Sequence, residues 1–327
     1  MQLTFLGTSA GVPTKTRNVS ALALRLPQRA EVWLFDCGEA TQHRLQHTDL
    51  KISQISRIFI SHLHGDHLFG LMGLLATCGM AGQAQQIDIY GPAGLRDYVQ
   101  LSARHTRMAL GDQVRVHTVA AGVIHEDSEF VVRCAPLEHR VPAFGYRIEE
   151  RERPGRFRVE AAAALGIPSG PLYGRLKRGE RVELPDGRVF DGAALSDPPA
   201  PGRVVAYCTD TVPCANAITL GSEADVLIHE ATFAAPEAAL ARQSTHSTAT
   251  DAARIASSAR ARQLVLTHIS PRYAYGNPIT AEDLLAEARA VFPATMLAHD
   301  FLTLDVPRRA RPETNTNGGD VDLNHTT

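Results

Sequence analysis

Short runs dominated by Val, Ile and Leu recur along the first 306 residues, and between them lie stretches whose apolar positions repeat every three to four residues. The runs predict strands at 3–6, 21–26, 32–36, 57–61, 87–90, 114–119, 130–135, 204–208, 226–229, 264–267 and 301–306. Several of these carry little polar interruption, as strands covered on both faces require. The helical period predicts helices at 40–47, 67–80, 94–107, 248–259 and 281–292. The last follows Thr280, an N-cap residue, with Asp283 three positions on. Strands alternating with helices predict sheets with helices packed outside them.

Two stretches break this rhythm. Residues 150–201 are rich in Gly, Pro and Arg, include Gly-Ile-Pro-Ser-Gly-Pro at 166–171, and show neither a 3.6 nor a 2 period. A connection of that length inside a compact domain is expected to be functional or mobile. Residues 307–327 are polar and poor in apolar side chains, which predicts a disordered tail. The domain organisation that follows is one domain over 1–306 with an inserted arm at about 150–201. The chain has no internal repeat.

The 327 residues are 44% hydrophobic, enough for one large core or for tightly packed layers of a single domain. No basic leader precedes a long apolar run, and no stretch approaches the roughly 18 apolar residues of a membrane helix, so neither secretion nor a membrane is expected. The five cysteines are odd in number and form no Cys-x-x-Cys, which argues against a disulfide framework or a cysteine zinc site and fits a reducing cytoplasm. The net charge of −2 does not mark a nucleic-acid binder, but its distribution changes the picture. Residues 151–181 hold eight Arg or Lys and three acids, a local +5 that leaves −7 for the remainder. Local charge decides where a phosphate backbone is attracted.

The chemistry concentrates in His62-Leu-His64-Gly-Asp66-His67, directly after the predicted strand 57–61. The carboxyl ends of strands are where α/β folds place their sites. Imidazole and carboxylate are zinc ligands, and packing four of them on one loop without a cation would leave charge and polar nitrogen unpaired. One loop cannot close all four on one ion with good angles. Two ions about 3.5–4 Å apart would use them better, given further ligands from elsewhere. His139, Asp210 and His268 each follow a predicted buried strand and are the candidates.

In this pattern of residues the chain resembles the metallo-β-lactamase superfamily, and within it the ribonuclease Z (tRNase Z) family in its short bacterial form, over roughly residues 1–306. The marks in order are Gly-Thr-Ser-Ala-Gly-Val-Pro at 7–13, Pro-Thr-Lys-Thr-Arg-Asn at 13–18, His-Glu-Ala-Thr at 229–232, His-Ser-Thr at 246–248, Ser-Pro-Arg-Tyr at 270–273 and Ala-His-Asp-Phe at 298–301. The basic segment resembles the family's protruding arm, including Gly170-Pro171 and Gly174-x-Leu176-Lys177. One departure is Thr209 before Asp210, where the family commonly has Gly. The resemblance implies an α/β fold, a four-layer αβ/βα sandwich with a protruding arm and the site at one edge. It implies two zinc ions per subunit, one on His62, His64, His139 and Asp210 and the other on Asp66, His67, Asp210 and His268, with Asp210 bridging. It further implies a homodimer whose arm serves the partner subunit's substrate.

The activity expected from this set is hydrolysis of a phosphodiester at the 3′ end of precursor tRNA, leaving a 3′-hydroxyl. Zinc lowers the pKa of bound water to about 7. Asp66 is expected to orient that water and take its proton, and His246 to protonate the leaving oxygen, with Glu230 fixing its tautomer and raising its pKa. His229 is read as an outer partner of the site. The basic arm, with Arg175, Lys177 and Arg178, is expected to clamp the tRNA, and Lys15, Arg17 and Arg272 to meet its 3′ end. Thioesterases of the glyoxalase II kind, lactamases and arylsulfatases share the metal loop, and a zinc-binding module without activity would carry it too. The arm, the 13–18 loop and the His246 motif favour RNA over these.

Overall fold

The computed structural model of the chain describes residues 1–80, 86–153 and 155–309. Its strands, in chain order, are β1 (Gln2–Gly7), β2 (Ala21–Leu26), β3 (Glu31–Phe35), β4 (Ile55–Phe59), β5 (Ile87–Gly91), β6 (Val114–Thr118), β7 (Gly122–Glu126), β8 (Phe130–Leu137), β9 (Ala143–Glu150), β10 (Arg181–Glu183), β11 (Val189–Asp191), β12 (Val204–Cys208), β13 (Val226–Glu230), β14 (Leu264–Thr267), β15 (Thr295–Leu297) and β16 (Thr303–Asp305). Two mixed sheets result, ordered β16-β1-β2-β3-β4-β5-β6 and β15-β14-β13-β12-β9-β8-β7. The β3–β6 run and the β12–β15 run are parallel.

Side-chain alternation explains the layers. Along β12, Val205 and Tyr207 enter one cluster with Trp33, Phe35, Phe59 and Tyr146, while Val204, Ala206 and Cys208 enter another with Ala217, Ala252 and Leu284. On β3, Trp33 and Phe35 face the shared aromatic cluster, and Val32 and Leu34 join Leu71, Leu74 and Leu95 behind the first sheet. Both faces of each sheet are therefore apolar, and the order is helices, sheet, sheet, helices. This is the four-layer αβ/βα sandwich. Each fully buried aromatic or branched side chain contributes about 1.5–3 kcal/mol, so the shared cluster is the main source of cohesion between the sheets.

The helix over 67–80 is broken. Gly65–Leu68 and Leu71–Met80 are separate helices. Gly70 N–H donates to the Cys37 carbonyl at 2.9 Å, and a Cβ on Gly70 would lie 1.9 Å from the Gly38 oxygen. Backbone packing against the chain after β3 therefore interrupts the helix, and only glycine allows the approach. At Thr280 the Asp283 carboxylate accepts from the backbone N–H and from the hydroxyl, both at 2.8 Å. Strands β7, β9 and β15 and the helices Ala215–Gly221 and Ala238–Ser244 fall where no pattern singles out an element.

By compactness the chain divides into two units, one of 1–150 with 203–307 and a second built on 151–202. In the first, the ends of the insertion are pinned together. Arg203 donates through Nε and Nη2 to Glu150 at 2.7 and 2.8 Å, and both residues are buried. Removing either partner would leave a buried charge, at a cost of about 3–5 kcal/mol. The second unit has its own small core of Phe157, Ala162, Ile167, Leu176, Val182, Leu184 and Leu195. It holds two short helices, Val159–Ala164 and Pro171–Lys177, and the β10–β11 hairpin. Elements of three to seven residues are too short to register a period, which is why the segment shows none. The 310–327 part of the tail expected to be disordered lies outside the described residues. No described helix is long and apolar enough to cross a membrane.

Candidate metal centre

Six of the residues that build the site sit at or just past the carboxyl end of a strand. Asp36 follows β3, His62 follows β4, His139 follows β8, Asp210 follows β12, His268 follows β14, and Glu230 ends β13. Asp36, Asp210 and His268 have φ of 57°, 25° and 57°, the left-handed region. That conformation costs on the order of 1–3 kcal/mol for a non-glycine residue and persists because the surroundings hold it. All three are buried, as are His62, His67 and Glu230.

The seven side chains expected as ligands converge. Donor atoms of His62, His64, His139 and Asp210 lie within 4.8 Å of one another, and so do those of Asp66, His67 and His268. Asp210 divides its carboxylate between the two groups. Its Oδ2 is 3.5 Å from His62 Nε2 and 3.9 Å from His139 Nε2, while its Oδ1 is 3.3 Å from His67 Nε2 and 3.2 Å from His268 Nε2. In the second group, His67 and His268 lie 3.2 Å apart through Nε2, and each is 3.3 Å from Asp66 Oδ2. Neighbouring ligands around a zinc ion at ordinary bond lengths stand about 3.3 Å apart. Donor chemistry and spacing both fit a pair of cations at this site.

The far nitrogens are fixed by oxygen atoms. His67 Nδ1 is 2.7 Å from Asp36 Oδ2, His62 Nδ1 is 3.0 Å from Ser61 Oγ, His139 Nδ1 is 2.9 Å from the Thr245 carbonyl, and His268 Nδ1 is 2.9 Å from Thr232 Oγ1. Such partners set the tautomer and aim the other nitrogen. Gly11 N–H donates to Asp66 Oδ2 at 2.8 Å, so the 7–13 loop delivers one backbone donor to the site.

The charge balance also calls for a cation. Burial pushes the His62 pKa down to about 2 and, with lesser effect, lowers those of His64 and His139. His67 goes the other way. Burial alone would lower it, but Asp210, Asp36 and Asp66 surround it and raise it well above the ordinary imidazole value. Burial likewise disfavours the charged forms of Asp66 and Asp210, yet the imidazoles beside them hold both carboxylates below their usual range. Without metal, the proton on His67 stands in for positive charge that buried carboxylates demand.

Beside the ligands, His246 Nδ1 lies 2.9 Å from Glu230 Oε1. Burial opposes its protonation, but the charge and hydrogen bond of Glu230, with Asp210 in support, push its pKa up to about 9. Glu230 also accepts from Thr211 N–H at 2.7 Å, from Ser247 N–H at 3.1 Å and from Thr232 Oγ1 at 2.6 Å. Because Thr232 donates its proton to Glu230, its oxygen is free to accept from His268 Nδ1–H. One carboxylate thus orients both His246 and His268.

Other expected residues are placed differently. His229 is not aimed at the site. It shares the β13 face of Leu227, and its Nδ1 donates to the neighbouring Glu230 carbonyl at 2.8 Å. Arg17 is tied into the fold, with Nη1 donating to Thr8 Oγ1 at 2.7 Å and to the Ala298 carbonyl at 2.6 Å. Lys15 is exposed in the same loop. Arg272 pairs with Glu237 at 2.7 Å and lies over the Phe233 ring, which neighbours His246. In the second unit, Arg175 and Arg178 pair with Glu180 at 3.0 and 2.8 Å, and Lys177 is exposed. Asp36 belongs to the site although no motif points to it. In the sequence it is the last polar position of an apolar strand, and an acid at a buried strand end is the one signal that could have found it.

Residues 1–151 match the family described as anti-Pycsar protein Apyc1, and residues 186–269 match the beta-lactamase superfamily domain. A protein of Cyanothece sp. named ribonuclease Z is 60% identical over 316 residues, covering 97% of this chain and 99% of that one. A ribonuclease Z of Synechocystis sp. is also 60% identical, over 94% of this chain and 95% of its own length. Among solved structures, the short form of human tRNase Z superposes with a TM-score of 0.66 at 32% identity, over 94% of this chain and 100% of that chain. A metallo-beta-lactamase fold protein of Bacillus subtilis shares the fold, with a TM-score of 0.64 at 19% identity, over 93% of this chain and 98% of that chain.

Proposed function

The chain belongs to the ribonuclease Z family of the metallo-β-lactamase fold, and from that premise we propose how its residues carry out the reaction. It is a tRNA 3′-processing endoribonuclease. The observation that carries the mechanistic reading is the divided carboxylate of Asp210, with one oxygen facing each of two ligand groups.

His62, His64, His139 and Asp210 would hold one zinc ion, and Asp66, His67, His268 and Asp210 the other. When bound, the ions supply Lewis acidity that makes water ionisable near neutral pH and offsets charge on the phosphate oxygens. Asp66 takes the proton of the attacking water. The new bond joins that water oxygen to phosphorus, and the bond between phosphorus and the tRNA 3′-oxygen breaks. His246 gives the leaving 3′-oxygen its proton. Glu230 occupies Nδ1, so Nε2 is the donating atom. Glu230 acts as a positioning residue and keeps His246 protonated.

The second unit serves as the tRNA clamp, through Lys177 and the arginines near it, and Lys15 and Arg272 meet the 3′ end. Arg17 shapes the 13–18 loop. The functional unit is a homodimer. The exposed Phe69 and Met80, with Met72, Ala76 and Met108 along an apolar surface cleft of about 660 Å³, support a face for a second copy. Five buried, unpaired cysteines support the cytoplasm as its compartment.

The direct test incubates the purified chain with 5′-labelled precursor tRNA, with and without a chelator, and maps the product end. A single product bearing a 3′-hydroxyl, lost with chelator and restored by zinc, is the expected result. Undiminished cleavage by metal-free protein would sink the reading.

A further inference from the structure

Strand β12 places two hydroxyl groups on the same side of its carboxyl end. Tyr207 lies within the strand and Thr209 directly past its last residue, with their hydroxyls within hydrogen-bond reach of each other. Tyr207 Oη donates to Asp36 Oδ2 at 2.8 Å, and Thr209 Oγ1 donates to Asp210 Oδ1 at 2.6 Å. Those two carboxylates are the ones that grip His67, at Nδ1 from Asp36 and at Nε2 from Asp210.

The Thr209 hydroxyl acts on one oxygen of Asp210 only. Oδ1, which receives it, faces His67 and His268. Oδ2 faces His62, His139 and His246, and no hydroxyl bond to it occurs among the described residues. A carboxylate turns easily about its last torsion, which is broad rather than staggered. Asp210 sits in a left-handed turn at φ 25°, so its backbone is fixed while that torsion is not. Thr209 is β-branched and 1% exposed, which leaves its hydroxyl little freedom. A short bond from a neutral hydroxyl to a charged oxygen is among the stronger kinds.

We propose that Thr209 is a positioning residue for Asp210, its hydroxyl holding Oδ1 toward His67 and His268 and so setting how tightly the Asp66–His67–His268 group keeps its ion. This rests on the two-ion reading above. Two effects of the hydroxyl oppose each other. Donation to Oδ1 draws electron density from a ligand atom and weakens it, while orientation strengthens the site. Loss of an outer partner lowers metal affinity by about 10- to 100-fold in comparable sites, so orientation prevails.

The test uses the full chain as wild type, T209V, T209S and T209G. Each is loaded with zinc ions alone and titrated with a competing chelator, and the melting of each metal-free protein is recorded. T209V keeps the shape and removes the hydroxyl. T209S keeps the hydroxyl, and T209G removes both. In T209V and T209G one of two ions is expected to bind about 10- to 100-fold more weakly while the other is unchanged. T209S is expected to follow the wild type. A T209V curve parallel to the wild type, equal weakening of both ions, or a wild-type-like T209G beside an impaired T209V would each overturn the assignment alone. A wild-type chain that binds one ion would overturn the two-ion reading and this assignment together.

Discussion

Asp36 Oδ2 stands 2.7 Å from His67 Nδ1, and this pair anchors the centre from beneath. Asp36 also accepts from the Ser61 N–H at 2.7 Å, from Ser61 Oγ at 2.9 Å and from Tyr207 Oη at 2.8 Å. One buried carboxylate thus ties the loop after β4 to β12 in the opposite sheet and aims His67 Nε2 at Asp66 and Asp210. Asp36→Asn keeps the size and one accepting oxygen but loses the charge. It is expected to lower zinc affinity about 10- to 100-fold while the chain still folds. Zinc retained per chain under chelator competition, beside a melting curve, checks this. Unchanged retention would remove Asp36 from the centre.

The clustered histidines and aspartates proposed as ligands are legible in the sequence because their chemistry is dense and local. Four donors within six residues cannot be absorbed by a core, and His139, Asp210 and His268 each follow an apolar run long enough to mark a strand. Asp36 is hidden because a lone acid beside an apolar strand looks like a turn residue until another chain segment packs over it. Strand β9 is hidden because Tyr146 and Ile148 alternate with Arg147 and Glu149, a pattern that blends into the charged arm after it. The break at Gly70 is illegible for a further reason. It is set by the backbone of residues 37–38, more than 30 positions earlier, and no local period records that approach.

Glu230 raises the His246 pKa to about 9, and this fixes the direction of the pH dependence. An acid must carry its proton, so cleavage of precursor tRNA should hold through neutral pH and decline as pH rises through about 9. Glu230→Gln removes the charge that holds the proton, so the decline should move to lower pH. Rate profiles of the two proteins from about pH 6 to 10, bracketing that pKa, check this. A decline at the same pH in both would detach Glu230 from the acid.

His246→Ala separates proton donation from metal binding. The leaving 3′-oxygen of tRNA is a poor leaving group without a proton, whereas p-nitrophenolate leaves unaided. Precursor tRNA cleavage should fall by about 10²- to 10⁴-fold, and hydrolysis of bis(p-nitrophenyl) phosphate should be nearly spared. Zinc per chain should not change. Equal losses on both substrates would assign His246 to the metal centre instead of the acid role.

Removing residues 155–195 tests the clamp. That segment belongs to a unit with its own core, and Glu150 and Arg203 remain to pin the cut ends. Precursor tRNA binding should weaken, and its logarithmic dependence on salt should flatten by about 0.7–0.9 for each phosphate that the shortened chain no longer neutralises. Hydrolysis of the small diester should persist. An unchanged salt slope would place the RNA-binding surface elsewhere.

Zinc uptake should release a proton, and the histidines identify its source. Burial keeps His62, His64 and His139 neutral before metal arrives, so they have none to give. The Asp66 and Asp210 carboxylates are already ionised, held low by neighbouring imidazoles against the effect of burial. His67 is the exception, because three carboxylates outweigh its burial and keep it charged above the ordinary imidazole range. To ligate through Nε2 while Nδ1–H stays on Asp36, it must become neutral. At least one proton should therefore leave per chain near pH 7, with any proton lost by water at the bound ions adding to it, and zinc affinity should fall as pH is lowered below the raised His67 value, because proton and metal compete for one nitrogen. Calorimetric titration with zinc in two buffers of different ionisation enthalpy measures the proton count directly. Equal heats in both buffers would mean that His67 is neutral in the metal-free protein, and that the carboxylates around it are balanced by some other charge.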